Sequence, residues 1–339
     1  MWKMFCEAIL SLFRFMVEMQ DVTAKVGGFF TRQNMNMFLS PSGILLSNQT
    51  LSGLNNIILA VAYTILAIGF VLGLYSMASK QDAVQAQGIV IPLKFFFRIM
   101  IIKILIESVQ EMFLSVVSGF AGAVEEAAKI TTADTAFSAN SVLAGMLNSN
   151  HTIKDEIIDN MASTLKLSSI ILVLLFALGA IAMLAISLMI GFYILGIMVD
   201  CILYYFAAPI AVASISCEQW ANTGFTYLKT ILSIGLNILL ILVATKISSQ
   251  LFLNVFNVIE SGKGIGNVLF NGLVASPQTF IRVFSSADPA QTMRDLQIGS
   301  AFTLSLKVIA GNMLMSLTTL TLFKKSKQVA NLATGGAFN

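Results

Sequence analysis

The sequence has 339 residues, of which 57% are hydrophobic and 11% charged, and its mean hydropathy is +0.84. An average soluble domain carries about 25% charged residues, so this composition excludes a soluble domain and indicates a membrane protein. The formal net charge of +3 is too small to predict a nucleic-acid surface. Cys6, Cys201 and Cys217 are odd in number, and no disulfide framework is predicted from them.

The N-terminal segment 1–32 is predicted to form an amphipathic, extracytoplasmic helix. Its polar residues recur at a heptad-like spacing, and the charged ones from Lys3 to Glu18 fall within about 60° of one another on a helix. Glu7 and Arg14 interrupt the apolar run, so the segment is expected to be retained rather than cleaved as a signal peptide. Such a helix suits a membrane interface or a protein groove, and packing against its own chain is the alternative.

An all-α polytopic fold with about five transmembrane spans is predicted, because about 20 apolar residues of helix cross the hydrocarbon core of a bilayer. Segment 33–79 carries no charge, and Leu167–Val199 is a charge-free run of 33 residues. Gly69 and Gly73 form a GxxxG pattern that permits close approach of helices. The predicted spans are 57–78 and 99–124 within 33–124, a long or broken third span at 167–217, then 230–259 and 301–323.

The positive charges predict the direction of the spans, because short cytoplasmic loops are enriched in lysine and arginine. Lys80, Lys94 and Arg98 lie between the first two spans, and three lysines follow the last span. The N-terminus is therefore predicted outside and the C-terminus inside. The connecting segments are the cytoplasmic loop 80–98, turn 218–229 and tail 324–339, and the extracytoplasmic loops 125–166 and 260–300.

The third span is too long for one crossing. As a single helix, segment 167–217 would measure about 76 Å at about 1.5 Å per residue, against a hydrocarbon core of about 30 Å. Pro209 lacks an N–H and disfavours helix at Ala208. A break is therefore predicted at 207–209, followed by a re-entrant or cytoplasmic-leaflet segment. The alternative divides the segment at Gly191, which gives six spans and places the C-terminal lysines outside.

Charges inside the spans are the candidate functional residues, because each costs about 2.5–3.5 kcal/mol at mid-bilayer and should face protein or a wet cavity. Lys103 and Glu107 can form an i,i+4 pair, and Lys94 and Arg98 can instead snorkel to the surface. The candidate pore or inter-subunit charges are Lys94, Arg98, Lys103, Glu107, Glu111, Asp200, Lys246 and Lys307.

Asp200 is expected to pair with Lys246 or Lys307, because an unpaired buried ion is costly. No catalytic, metal or cofactor site is predicted. His151 is the only histidine and lies in the predicted outer loop 125–166, so neither an HExxH zinc site nor a Ser-His-Asp triad is predicted within this chain. Asp200 is also the only aspartate in a predicted span, whereas aspartyl intramembrane proteolysis needs two.

Segment 196–229 carries a distinctive pattern: an acidic residue, an aromatic residue, an Ala-Pro-Ile step, then Trp, Gly and Tyr-Leu-Lys. These residues are Asp200, Tyr204, Ala208, Pro209, Ile210, Trp220, Gly224, Tyr227, Leu228 and Lys229. With this spacing the segment resembles the TrbL-like polytopic inner-membrane subunit of type IV secretion and conjugation machines, particularly its Gram-positive form. It differs at Ile197, where arginine is frequent, at Glu218, which is one residue further from Trp220 than usual, and at Ala221, which replaces a glycine.

The resemblance implies a non-enzymatic subunit, present in several copies at the base of a translocation apparatus in the bacterial inner membrane. The implied partners are membrane lipid, other copies, extracytoplasmic stalk or scaffold subunits and cytoplasmic ATPases. The implied cargo is single-stranded DNA with its relaxase, or effector proteins. The rival interpretation is a stand-alone transporter or ion channel that uses the intramembrane charges. Transporters often carry paired broken helices and inverted repeats, and the sequence shows one break and no convincing repeat.

Overall fold

The structure is a computed structural model. It describes residues 2–25, 29–30, 32–39, 49–79, 90–130, 151–165, 168–217, 220–261, 274–275, 277–286, 288–295 and 300–335. Every regular element within these residues is a helix, which confirms the predicted all-α class. Helices suit a chain in lipid because their backbone N–H and C=O groups are satisfied within the segment.

Ten α-helices and one short 3-10 helix make up this part of the chain. They are α1 (Trp2–Lys25), α2 (Arg32–Leu39), α3 (Gln49–Ser79), α4 (Val90–Ile130), α5 (His151–Leu165), α6 (Ser168–Ala213), the 3-10 helix Ser214–Ser216, α7 (Ala221–Ser261), α8 (Pro277–Phe284), α9 (Pro289–Asp295) and α10 (Ala301–Thr334).

Four of these helices are long and apolar enough to cross a membrane, so the protein is a multi-pass membrane protein. The four segments are Ser52–Ser79, Ser168–Ser216, Ala221–Ser248 and Ala301–Thr334. They lie where four of the five predicted spans were placed. The remaining predicted span, 99–124, is part of α4, along which charged residues recur. Its crossing of the membrane, and hence the count of five, remains a prediction.

The predicted break at 207–209 is wrong. Helix α6 runs through Pro209 and ends at Ala213, and it also continues through Gly191, where the six-span alternative placed a division. Pro209 removes only one backbone hydrogen bond and is buried, and neighbouring helices re-satisfy freed backbone groups in membrane proteins. The chain instead leaves the helix at the 3-10 turn Ser214–Ser216.

Three connections are shorter than the sequence predicts. Helix α4 begins at Val90 within the predicted loop 80–98, and α7 begins at Ala221 within the predicted turn 218–229. Helix α10 continues to Thr334, well into the predicted tail 324–339. No glycine or proline interrupts α10 after Asn312 until Gly335, which has a positive φ of 62° and so suits the end of a helix.

Parts of the other predicted segments lie outside the described residues. In the N-terminal half these parts are 1, 26–28 and 31 of the segment 1–32, 40–48 and 80–89 of 33–124, and 131–150 and 166 of the loop 125–166. In the C-terminal half they are 167, 218–219 of the turn, 262–273, 276, 287 and 296–299 of the loop 260–300, and 336–339 of the tail.

The chain divides into two compact units. The first comprises Met1–Gly27, Ile130–Ile194 and Leu242–Lys324, and the second comprises Gly28–Lys129, Leu195–Ile241 and Lys325–Asn339. The boundaries therefore fall within α6, α7 and α10 and at the last residue of α4.

An aromatic cluster on α1, α6 and α8 forms the core of the first unit. The ring of Phe13 stacks on Phe280 with centroids 4.8 Å apart and meets Phe176 edge-on at 6.4 Å. Phe280 also contacts Phe284 at 4.9 Å, and all four side chains are fully buried. The N-terminal helix therefore packs against its own chain, as the alternative interpretation of its amphipathic pattern proposed.

Polar contacts connect the shorter helices of the first unit. The amide of Asn160 on α5 donates to the carbonyls of Phe284 and Ser286 at 3.0 and 3.1 Å. Lys3 on α1 forms a 2.5 Å ion pair with Asp159. The hydrogen bond to Asp159, and then its charge, raise the pKa of Lys3. Both side chains are largely exposed, so this pair adds little to stability.

In the second unit, α4 packs antiparallel to the spanning helix α3. Near one end of α3, Asn55 Oδ1 accepts a 2.7 Å hydrogen bond from Gln110. Near the other end, a Cβ added to Gly73 would collide with the ring of Phe95. The same side of α3 presents Gly69, where a Cβ would collide with Ser216. Both glycines of the GxxxG pattern thus lie at close helix contacts, as predicted.

Candidate functional site

The connection between α6 and α7 is a compact turn of irregular backbone. After the 3-10 helix Ser214–Ser216, the chain is extended at Cys217, and the N–H of Trp220 donates to the Cys217 carbonyl at 3.1 Å. Arg98 on α4 reaches this turn: its Nη2 donates to the carbonyl of Ile215 at 2.5 Å. A carbonyl at the end of a helix has no intrahelical partner, so the guanidinium both satisfies that oxygen and attaches the turn to α4.

Gly224 lets the first turn of α7 pack directly against the end of α6. A Cβ at position 224 would lie 2.7 Å from the carbonyl oxygen of Ala211 and would overlap the side chain of Ile215. Both contacts are too short for a real Cβ atom. The glycine of the family-like pattern is therefore required here by close packing and not by backbone conformation.

Two tyrosines of the family-like pattern join α6 to α7. The hydroxyl of Tyr227 donates to the backbone carbonyl of Tyr204, and the two rings lie with centroids 5.9 Å apart. Tyr227 is buried, so this hydrogen bond satisfies a hydroxyl that would otherwise be costly to bury. Helices α6 and α7 therefore form a helical hairpin, which is held together by the packing at Gly224 and by the contact between Tyr204 and Tyr227.

Asp200 lies beside Lys327 of α10, with their charged atoms 3.9 Å apart. This contact corrects the expectation that Asp200 pairs with Lys246 or Lys307. Lys327 belongs to the predicted cytoplasmic tail 324–339. Because α10 continues to Thr334, this lysine instead lies on the helix and contacts Asp200 of α6. Both side chains are only partly exposed, at 33% and 23%, so the attraction is screened less than in an exposed pair.

We expect Asp200→Lys to destabilise the protein, because it places two positive charges together, and the double variant Asp200→Lys/Lys327→Asp to recover much of the loss. For a partly exposed pair, the loss should be about 1–2 kcal/mol, below the about 3–5 kcal/mol of a fully buried pair. Thermal unfolding in detergent measures both variants. Lys325→Asp is the matched control, since Lys325 is exposed on the same helix. Failure of the double variant to recover would contradict the pairing.

A buried polar seam joins α7 to α10 in the second unit. Ser233 donates to Asn331 Oδ1 at 2.7 Å, and Ser326 donates to Asn237 Oδ1 at 2.8 Å. Asn237 is fully buried, and its Nδ2 has no hydrogen-bond partner among the residues that the structure describes. Serine and asparagine side chains commonly form such bonds between helices in membranes. These four residues carry no charge, so the sequence alone does not single them out.

The charges of α4 differ in their surroundings. Lys94, Lys103, Glu107 and Glu111 are exposed, whereas Arg98 is partly buried at the turn. Glu107 accepts a 3.2 Å hydrogen bond from Tyr63 of α3. Among the ion pairs within the described residues, none joins Lys103 to Glu107, so the i,i+4 pair is not formed.

The other predicted residues lie elsewhere. Lys246 and Lys307 belong to the first unit, and both are partly exposed. The backbone carbonyl of Lys307 accepts a 3.1 Å hydrogen bond from the N–H of Ala275. In the second unit, Ala208 and Pro209 are buried, whereas Trp220 and Lys229 are exposed. The family-like pattern therefore includes two kinds of residue. Some pack α6 against α7, and others, such as Trp220 and Lys229, are exposed.

The described part of the chain contains no group of three His, Cys, Asp or Glu side chains that could hold a metal ion. Its candidate site has three parts: the turn 214–220 that Arg98 attaches to α4, which we call the tethered turn, the ion pair of Asp200 with Lys327, and the polar seam between α7 and α10. Such contacts hold helices together and orient a surface.

Comparison with known proteins identifies the family of the chain. No curated protein and no solved structure gives a significant match to the chain. A family model described as TrbL/VirB6 plasmid conjugal transfer protein matches residues 66–281. This match covers more than half of the chain and includes α4, α6, the tethered turn and α7. The chain therefore belongs to the TrbL/VirB6 family of plasmid conjugal transfer proteins and is a component of a conjugal transfer or type IV secretion system.

Proposed function

We propose that the protein is a non-enzymatic channel or scaffold subunit in the bacterial inner membrane, where several copies help to form the translocation path of the machine. The N-terminus lies outside and the C-terminus in the cytoplasm. The cargo is single-stranded DNA with its relaxase, or an effector protein. These statements go beyond family membership, and they rest on the charge distribution of the sequence and on the tethered turn.

The tethered turn is the observation that carries this proposal. Irregular backbone at membrane depth occurs only where it is buried in protein or lines water. Here Arg98, Gly224 and Tyr227 hold that backbone against three helices, while Trp220 remains 48% exposed. A rigid turn with an exposed tryptophan suits a docking point, because tryptophan is enriched among the residues that dominate binding interfaces.

The partners follow from the predicted direction of the spans. The acidic segment 125–166 would meet extracytoplasmic stalk or scaffold subunits. The loop 80–98, the turn and the C-terminal end of α10 would face the cytoplasmic ATPases. Lys324 and Lys325 are exposed near that end, where they can also contact anionic lipid.

Purification through a C-terminal tag from the native host, in nanodiscs, tests the proposal. Mass spectrometry should identify secretion ATPases and stalk proteins, and the native mass should show several copies. A monomer or small homo-oligomer that is stable without partners would contradict the machine role. That result would instead favour a stand-alone transporter, with Asp200 as the next residue to test.

Replacing Trp220 by alanine should lower the frequency of cargo transfer by at least about tenfold, because loss of an interface tryptophan typically costs about 2 kcal/mol or more. The amount of protein in the membrane should not change, since the side chain lies outside the core. Transfer frequency and membrane content are measured in the same cells. Leu203→Ala is the control, because Leu203 is 61% exposed on α6 and lies away from the turn. Normal transfer by Trp220→Ala would remove the turn from the proposed docking role.

A further inference from the structure

One side of α4 is exposed and carries charges of both signs. Its buried side includes Ile102, Ile106 and Phe113. The opposite side is exposed and consists of Met100, Lys103, Ile104, Glu107 and Glu111. We call these five residues the charged face of α4.

The antiparallel packing of α4 on α3 shows where this face lies in the membrane. Helix α3 contains the membrane-spanning segment Ser52–Ser79. Gln110 of α4 bonds to Asn55 near the first end of that segment, and Glu107 accepts a hydrogen bond from Tyr63 near its middle. Lys103 precedes Glu107 on α4 by about one helical turn, or 6 Å, and so lies further towards the second end of α3. The charged face therefore lies at the depth of the hydrocarbon core, although α4 itself is less apolar than α3.

Charges at this depth cannot simply face lipid. A lysine or acidic residue at the centre of a bilayer costs about 2.5–3.5 kcal/mol on insertion scales, and Lys103 and Glu107 are both exposed there. Arg98 differs, because a backbone carbonyl of the turn satisfies it. The charged face thus needs either water or a protein surface at the same depth, and its mixed signs suit a surface that also offers both.

We propose that the charged face of α4 binds the same face of a second copy of this chain. All copies cross the membrane in one direction, so two such faces meet with equal residues at equal depth. Lys103 of one copy is then offset along the helix axis from Glu107 in the other by only about one turn, or 6 Å, which long side chains can span. Met100 and Ile104 supply apolar contacts beside the two ion pairs. This inference rests on the proposed function, which already requires several copies, and it names the surface that they use.

Disulfide cross-linking in native membranes tests the contact. Ile104 is 58% exposed on the charged face, and the full-length Ile104→Cys variant should give a covalent dimer on oxidation with copper phenanthroline. The native cysteines Cys6, Cys201 and Cys217 are buried, so the wild type gives the background. Leu203→Cys, which is 61% exposed on α6, is the matched control and should give no more dimer than the wild type.

Charge exchange tests whether the two copies pair through these residues. With Ile104→Cys present in every chain, Lys103→Glu alone and Glu107→Lys alone should each reduce the dimer severalfold. Co-expression of the two variants should restore it as a mixed dimer, which differently sized tags identify. Restoration within one doubly substituted chain should also occur, because each face would again carry both signs.

Absence of the Ile104→Cys dimer would overturn the proposal. If the same cysteine then reacted with a membrane-impermeant thiol reagent, the charged face would line a water-filled path instead. Equal dimer formation by Leu203→Cys would overturn it as well, because the contact would not be specific. None of these readouts requires cargo transfer or partner proteins. If the specific dimer forms but no secretion ATPases or stalk proteins co-purify, the proposed function is refuted and the dimer contact stands. If those proteins co-purify but no dimer forms, only the proposed contact through α4 is refuted.

Discussion

Replacing Gly224 by alanine is expected to destabilise the protein by about 1–3 kcal/mol, the usual cost of forcing extra atoms into a packed site. The added methyl group would meet the carbonyl oxygen of Ala211 at 2.7 Å and overlap Ile215. A backbone carbonyl cannot move aside as a flexible side chain can. The start of α7 would have to separate from the end of α6, and the hydrogen bond from Tyr227 to Tyr204 would be strained with it.

The effect should be visible as a lower apparent melting temperature in detergent and as reduced cargo transfer. Gly191→Ala is the matched control, because the structure leaves open space around a Cβ at that position of α6. Alanine is also the better helix former by about 1 kcal/mol, so the control should be neutral or slightly stabilising. Equal melting temperatures for the two variants would show that α7 does not approach α6 this closely.

Replacing Phe13 by alanine should have a still larger effect, a destabilisation of about 3–5 kcal/mol. Phe13 is fully buried between Phe280 and Phe176, so its removal leaves a cavity and breaks both ring contacts. Aromatic pairs contribute about 0.5–1.5 kcal/mol beyond their buried area. We expect α1 to detach from the first unit more often than it does in the wild type.

Limited proteolysis in detergent, alongside thermal unfolding, measures this second effect. Cleavage should increase within α1 and in the adjoining helices α5 and α8. Met4→Ala is the control on the same helix, since Met4 is 63% exposed and its loss leaves no cavity. Unchanged proteolysis of Phe13→Ala would mean that α1 does not contribute to the core and instead lies at a membrane interface, as the first interpretation of its pattern proposed.

The class of the fold could be predicted from the sequence because long apolar runs leave few alternatives in a membrane. The ends of the helices could not. Pro209 was interpreted as a break because proline removes a hydrogen bond, but the sequence does not reveal that the helix there is buried and continues to Ala213. The lysines after residue 323 were interpreted as a loop because charge usually marks the end of a span, whereas α10 continues to Thr334.

Only some residues of the candidate site can be predicted from the sequence, because their partners depend on where the helices end. Asp200 was recognised because a charge stands out in an apolar segment, but its partner Lys327 became visible only once α10 was known to extend. Arg98 was also recognised, although its acceptor is a backbone carbonyl, which has no signature in sequence. Gly224 and Tyr227 were found through the family-like pattern, and only the packing explains why glycine and tyrosine are needed there.

The polar seam between α7 and α10 has a consequence for the register of these helices. In lipid, apolar side chains allow one helix to slide along another at little cost, because lipid tails replace the lost contacts. Ser233 with Asn331 and Ser326 with Asn237 remove that freedom, since a slip of one turn would break both hydrogen bonds. Each such bond contributes only about 0.6 kcal/mol on average, but the two bonds must break together. The register that they fix is also the one in which Lys327 lies opposite Asp200.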